Sequence, residues 1–205
     1  MMERKDMLLI EKSHFAKGIT SICGVDEAGR GPLAGPVFAA AVILPPNLEI
    51  PGLDDSKKLT DKRRRELFPV IKEQAIAYGV AFATHEEIDK INILQATYLA
   101  MERAINSLSV RPELALIDGN RARDFGLPVQ TVVKGDSLSA SIAAASILAK
   151  VSRDDYMEEM AKAYPQYGFE VHKGYGTKLH YEKLSQFGPS PIHRKTFLKK
   201  LYGTK

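Results

Sequence analysis

Three acidic residues each follow an apolar, strand-like run: Asp26 after Cys23-Gly24-Val25, Asp118 after Leu114-Ala115-Leu116-Ile117, and Asp136 after Val132-Val133-Lys134-Gly135. Glu27 stands directly beside the first. Carboxylates are depleted in strand interiors. Three strand ends that each present one would gather like charges at one edge of a sheet, where they repel unless a cation neutralises them. No His or Cys stands at ligand spacing among them, so the donors are oxygen only, which suits a hard ion such as Mg²⁺ or Mn²⁺ over zinc. Two such ions about 3.5–4 Å apart can hold an attacking water and the leaving oxygen of a phosphodiester in line.

Each acid alone has a plainer reading. Asp136 before Ser137 could cap the helix that follows, a role worth about 1 kcal/mol. Asp118-Gly119-Asn120 is an ordinary turn, and Asp26-Glu27 could open a hairpin. The joint pattern is what favours a metal site. Adjacent strand residues face opposite ways, so Glu27 joins Asp26 only if the chain bends, which Gly29 and Gly31 make easy. The Gly29, Gly31, Gly35 spacing misses the dinucleotide fingerprint, and Pro32 removes an amide donor. Gly174-Tyr175-Gly176-Thr177-Lys178 only superficially suggests a phosphate-binding Walker run. An ATP-binding fold of the sugar-kinase kind, which also ends strands with carboxylates, is a distant alternative.

The elements that must position these acids read as α/β. Strands are predicted at Ser21 to Asp26, Val37 to Leu44 (ended by Pro45-Pro46), Ala75 to Ala83, Leu114 to Ile117 and Val129 to Val133. Helices are predicted at Thr60 to Glu73, Asn92 to Leu108, Ser137 to about Ala163, Thr177 to Phe187 and Arg194 to Tyr202. The sum is a mixed central sheet flanked by helices, with a helical C-terminal extension. The boundaries are an N-terminal segment 1–20, a catalytic domain 21–165 and an extension 166–205 that contacts substrate.

Composition narrows the classes. The 205 residues are 44% hydrophobic, enough for a sizeable core. With 26% charged residues and no apolar run near ~18 residues, no membrane span is expected. The Met1 to His14 stretch lacks the apolar core of a secretory signal. The one cysteine, Cys23, reads as a small packed residue in a reducing, cytoplasmic setting. Net charge is +4. Lys57 to Arg65 holds six basic residues against one acid, and nothing after Glu182 is acidic while Lys183, Arg194, Lys195, Lys199, Lys200 and Lys205 are basic. These are two candidate phosphate patches, or equally the solvated faces of helices.

Gly24-Val25-Asp26-Glu27-Ala28-Gly29-Arg30-Gly31-Pro32-Leu33-Ala34-Gly35-Pro36 resembles the signature of ribonuclease HII, of the type 2 ribonuclease H family. The resemblance continues, in order, through Asp54 to Leu59, Ile117 to Asn120, Lys134-Gly135-Asp136, Ala143 to Asp154, Lys173 to Thr177 and Ser190 to Lys195. It implies the ribonuclease H fold, with Asp26, Glu27, Asp118 and Asp136 as the metal-holding acids. The sister type, ribonuclease HIII, usually has an extra N-terminal domain and a glutamate as fourth acid. Here 25 residues precede Asp26 and the fourth acid is Asp136, which favours type HII.

The resemblance further implies hydrolysis on the 5′ side of a ribonucleotide, in RNA/DNA hybrids and at single ribonucleotides in duplex DNA, as in replication and repair. The backbone of Gly29, Arg30 and Gly31 would contact the 2′-hydroxyl, and Tyr175 would stack by the ribonucleotide. Ser56, Lys57, Lys58, His193, Arg194 and Lys195 become candidate phosphate contacts. His172 and His180 read as surface or helix residues, with His180 close enough to Tyr175 to approach the substrate strand. A DNA-cutting junction nuclease on the same fold and a non-catalytic nucleic-acid-binding protein are the competing functions. A monomer is expected, and no protein partner is inferred.

Overall fold

The computed structural model describes residues 6–203. Residues 1–5 of the predicted N-terminal segment, residues 204–205 with the basic Lys205, and the side chain of Lys200 lie outside that description. The strands are β1 (Ile22–Ala28), β2 (Val37–Ile43), β3 (Ala77–Ala83), β4 (Leu114–Asp118) and β5 (Val129–Val132). The helices are α1 (Leu9–Phe15), α2 (Asp61–Gln74), α3 (His85–Asn106), α4 (Ala140–Ala163), α5 (Phe169–His172), α6 (Lys178–Phe187) and α7 (Lys199–Tyr202).

The five strands form one mixed sheet in the order β3-β2-β1-β4-β5. β1 to β3 form an antiparallel meander, and β4 and β5 add in parallel to β1. Helices cover both faces, so β2 is buried along its whole length. Alternation sorts the side chains. Cys23, Val25, Ala39, Ala41 and Ile117 pack under α3, whereas Ala40 and Val42 pack under α4 and α2. Gly24 points at α4, where a Cβ would stand 2.1 Å from the Ser141 backbone, so β1 and α4 touch backbone to backbone.

Among the boundaries that differ from the sequence reading, four have a clear local reason. β1 continues past Asp26 to Ala28, because β2 pairs with it as far as Ala28↔Phe38. α3 begins at His85, where Thr84 and Glu87 form a capping box. The chain kinks at Asn92 (φ 67°), whose side chain accepts from Leu94 and Gln95 and restarts the helix near the predicted start. α4 is capped by Ser139, which accepts from Ile142 N, and not by Asp136. The predicted helix from Arg194 is a 3₁₀ turn at Lys195–Leu198 followed by the short α7. α1 and α5 were not foreseen. Cys23 is a buried core residue, as read. Among the described residues no helix is long and apolar enough to cross a membrane.

Candidate active site

Asp26 sits on the α4 face of β1, one residue beyond the Val25↔Ile117 pair, and Asp118 ends β4 on the same face beside it. Asp136 comes from a 3₁₀ turn, Gly135–Ser137, between β5 and α4. Carboxylate oxygens of all three lie within 4.8 Å of one another. Short bonds orient them. Asp26 Oδ1 accepts from Glu27 N at 2.7 Å, and Asp118 Oδ1 accepts from Gly135 N at 2.7 Å. Asp136 Oδ2 accepts from Lys57 Nζ at 3.0 Å.

Asp26 and Asp136 are buried and Asp118 is half-buried. Burial, then the charges of Glu27 and Asp118, push the Asp26 carboxyl well above the usual range. Burial, and to a smaller extent Asp136, raises Asp118. Burial opposes the charge of Lys57, but its hydrogen bond to Asp136 and the nearby acids hold its pKa above the ordinary lysine value. A cluster of this kind is a site for positive charge. Its all-oxygen donor set fits a hard divalent cation.

Glu27 stands beside the cluster and not within it. Because β1 runs on to Ala28, alternation turns Glu27 to the opposite side from Asp26, and the expected bend comes two residues later, at Gly29. Glu27 Oε1 accepts from Arg30 Nη1 at 3.3 Å. Burial raises the Glu27 carboxyl, Arg30 opposes the rise, and the charge of Asp118 is still felt there.

The Gly29–Pro36 loop is held from beneath by two buried arginines. Arg194 donates to the carbonyls of Gly29, Arg30, Gly35 and Pro36 at 2.6–3.2 Å. Arg153 donates to Ala34, Pro36 and Lys173. Gly29 has φ +97°, and a Cβ there would stand 2.0 Å from Arg153 Nε, so the position requires glycine. In a trans peptide the N–H points opposite to the preceding C=O. Since the Gly29 and Arg30 carbonyls face Arg194, the Arg30 and Gly31 amides face outward, and among the described residues neither has a protein acceptor.

Tyr175 closes this loop on its open side. A Cβ at Gly31 would lie 3.8 Å from Tyr175 Cε1. Tyr175 is 42% exposed, and its ring lies by Arg153 and Lys150 at 5.6 and 6.0 Å. Leu33 N donates to Gly174 O at 2.8 Å, which ties the two loops together.

The family model for ribonuclease HII matches residues 23–204, which include every residue of this arrangement. The chain belongs to the ribonuclease HII family. It is 52% identical over 193 residues to ribonuclease HII of Clostridioides difficile (strain 630), covering 94% of this chain and 76% of that one. Among solved structures it is similar to the ribonuclease H2 of Pyrococcus horikoshii OT3, with TM-score 0.72 and 28% identity over 90% of this chain and all of that one. It is equally similar in fold to the ribonuclease HII of Archaeoglobus fulgidus, solved in complex with PCNA, with TM-score 0.72 and 27% identity over 85% and 93%. The ribonuclease H-like fold and a metal-dependent nuclease activity follow for this chain.

Several expected substrate contacts are corrected by burial. His193 and Arg194 are buried, and their polar atoms are occupied by Ser190, His180 and the loop carbonyls, so neither is placed to meet a phosphate. Ser56 is buried, while Lys57, Lys58 and Lys195 are exposed. His172 and His180 lie in helices α5 and α6, in keeping with the helix half of the reading, but are buried and not at the surface. Arg63, Arg64 and Arg65 of the first basic run bond within the chain, to Glu66, Ser56 O, Asp155 and Glu158 among others. Arg153 was not singled out from sequence. Its signal was an arginine in the apolar stripe of α4 between Leu148 and Met157.

Proposed function

We propose that this chain is an endonuclease hydrolysing the phosphodiester on the 5′ side of ribonucleotides, in RNA/DNA hybrids and at single ribonucleotides embedded in duplex DNA. The products are a 5′-phosphate and a 3′-hydroxyl. The observation that carries the reading is the convergence of Asp26, Asp118 and Asp136 oxygens next to a loop that turns two unpartnered amides outward. In this reading Asp26, Asp118 and Asp136 would hold the divalent ions, Mg²⁺ or Mn²⁺, two in the reactive complex, and Glu27 would join them as the fourth acid by turning from Arg30 toward the cluster. Such ions lower the pKa of a water nucleophile and stabilise a leaving oxygen.

The chain's own residues supply the rest. Burial presets the carboxylates in a crowded, mutually repelling cluster that favours cations, and Lys57 lends a positive charge to the Asp136 side. The Arg30 and Gly31 amides are donors for a 2′-hydroxyl oxygen, which DNA lacks. Tyr175, half exposed against Gly31, offers a face for the sugar or base of the ribonucleotide. Lys57, Lys58 and Lys195 are exposed cations for phosphates. Residues 21–165 form the catalytic domain and 166–205 an extension that also contacts substrate, in a cytoplasmic monomer.

Incubation with Mg²⁺ or Mn²⁺ and a duplex carrying one ribonucleotide tests the reading. Incision on the 5′ side of that position is expected. No incision there, or equal cutting of all-DNA duplex, would favour a binding protein or a junction nuclease instead.

A further inference from the structure

Three buried histidines that play no part in the chemistry converge behind Tyr175. The rings of His172 and His180 are stacked, 4.3 Å apart and 15° from parallel. His180 Nε2 and His193 Nε2 are 2.9 Å apart. The hydrogen-bond partners fix every proton. Ser190 N donates to His193 Nδ1 at 2.8 Å, so that nitrogen carries no proton and His193 holds its proton on Nε2. That proton goes to His180 Nε2, which leaves the proton of His180 on Nδ1. The Nδ1–H donates to the Tyr175 carbonyl at 2.9 Å, and a carbonyl only accepts, so the chain is consistent from end to end. His172 Nδ1 accepts from Gly174 N at 3.1 Å, which places its own proton on Nε2, toward the Tyr167 carbonyl at 2.9 Å.

The stacked pair therefore grips both sides of one turn, the Gly174 amide through His172 and the Tyr175 carbonyl through His180. We propose that His172, His180 and His193 form a relay locked in one tautomeric order that fixes the Gly174–Tyr175 turn, making them positioning residues for Tyr175 at the substrate. The inference rests on the reading of Tyr175 given above. Burial keeps His180 and His193 neutral at pH 7, the form that the relay requires.

The test is a double-mutant cycle between His180 and Tyr175, read as kcat/KM on the single-ribonucleotide duplex with Mn²⁺. His180→Phe keeps a ring in the stack but no donor, and is expected to lower kcat/KM by about tenfold to a hundredfold, the effect of misplacing a substrate-positioning group. His180→Asn, which retains a donor near the Nδ1 position, should recover most of that loss. In a Tyr175→Ala background His180→Phe should cost less than about twofold more. Equal losses in both backgrounds would overturn the relay and leave His180 a structural residue, with the reading of Tyr175 intact. Tyr175→Ala cleaving like the parent would instead overturn the substrate role of Tyr175, and the relay with it. Independently of any variant, ¹⁵N spectra of the histidine side chains in the parent should show His180 protonated on Nδ1 and His193 on Nε2; the opposite tautomers overturn the proposal.

Discussion

Lys57 Nζ lies 3.0 Å from Asp136 Oδ2, so the carboxylate cluster carries its own cation. The lysine is three-quarters exposed and the aspartate is buried, so the bond can be exchanged for an ion without disturbing the fold. Lys57→Met removes a competing positive charge. The variant should bind Mn²⁺ roughly three- to tenfold more tightly, the scale of a partly screened neighbouring charge, while KM for the nucleic acid rises. Titration calorimetry and steady-state kinetics check both. Unchanged Mn²⁺ affinity would show that Lys57 and the ion do not share Asp136.

The crowding at Asp26 makes a second prediction. Burial, Glu27 and Asp118 raise its pKa, so its ionised form is strained at neutral pH when no cation is present. Asp26→Asn removes that charge. It should melt higher than the parent in chelator, lose most of the parent's stabilisation by Mn²⁺, and lose at least about a hundredfold in turnover because several kcal/mol of metal-assisted stabilisation go with it. Melting curves with and without Mn²⁺, beside a cleavage assay, decide. A variant that melts lower in chelator contradicts the strain.

Arg194 makes a different kind of contribution, since it collects four carbonyls and no carboxylate. Lysine cannot reproduce the fork. Arg194→Lys should cost on the order of 3 kcal/mol in stability, as expected when carbonyls bonded to a buried charge lose their donor. It should also narrow the preference for a ribonucleotide over a deoxyribonucleotide, because the Arg30 and Gly31 amides are no longer aimed. Urea unfolding and cleavage of matched duplexes measure the two effects. Lost stability with selectivity untouched would confine Arg194 to the fold.

Stability should also depend on pH. Burial first, and then neighbouring histidines, lower the pKa of both His180 and His193 to about 4, against an ordinary value of 6.5. The folded chain thus binds fewer protons than the unfolded chain between these values. Their contribution is present above about pH 6.5 and is lost as pH falls toward 4. Urea midpoints measured from pH 7.5 down to 4.5 should decline through this window. A flat profile would mean that the imidazoles are accessible to protons in the fold.

Much of the catalytic end was legible in the chain itself. Apolar runs of strand length ending near Asp26, Asp118 and Asp136 announced that acids would meet at one sheet edge, because strand pairing brings successive strand positions side by side. The ordered motif series named the family. What the sequence could not hold was the side on which each residue falls. Whether Glu27 faces Asp118 depends on where β1 stops, and that is set by β2 pairing as far as Phe38. Arg194 and His193 lie in a basic tail segment that sequence reading assigns to phosphates, yet packing against the Gly29–Pro36 loop turns both inward. Charge and spacing are local properties that a sequence displays. Burial belongs to the tertiary structure, because it depends on residues over a hundred positions away, as between Arg194 and Gly29.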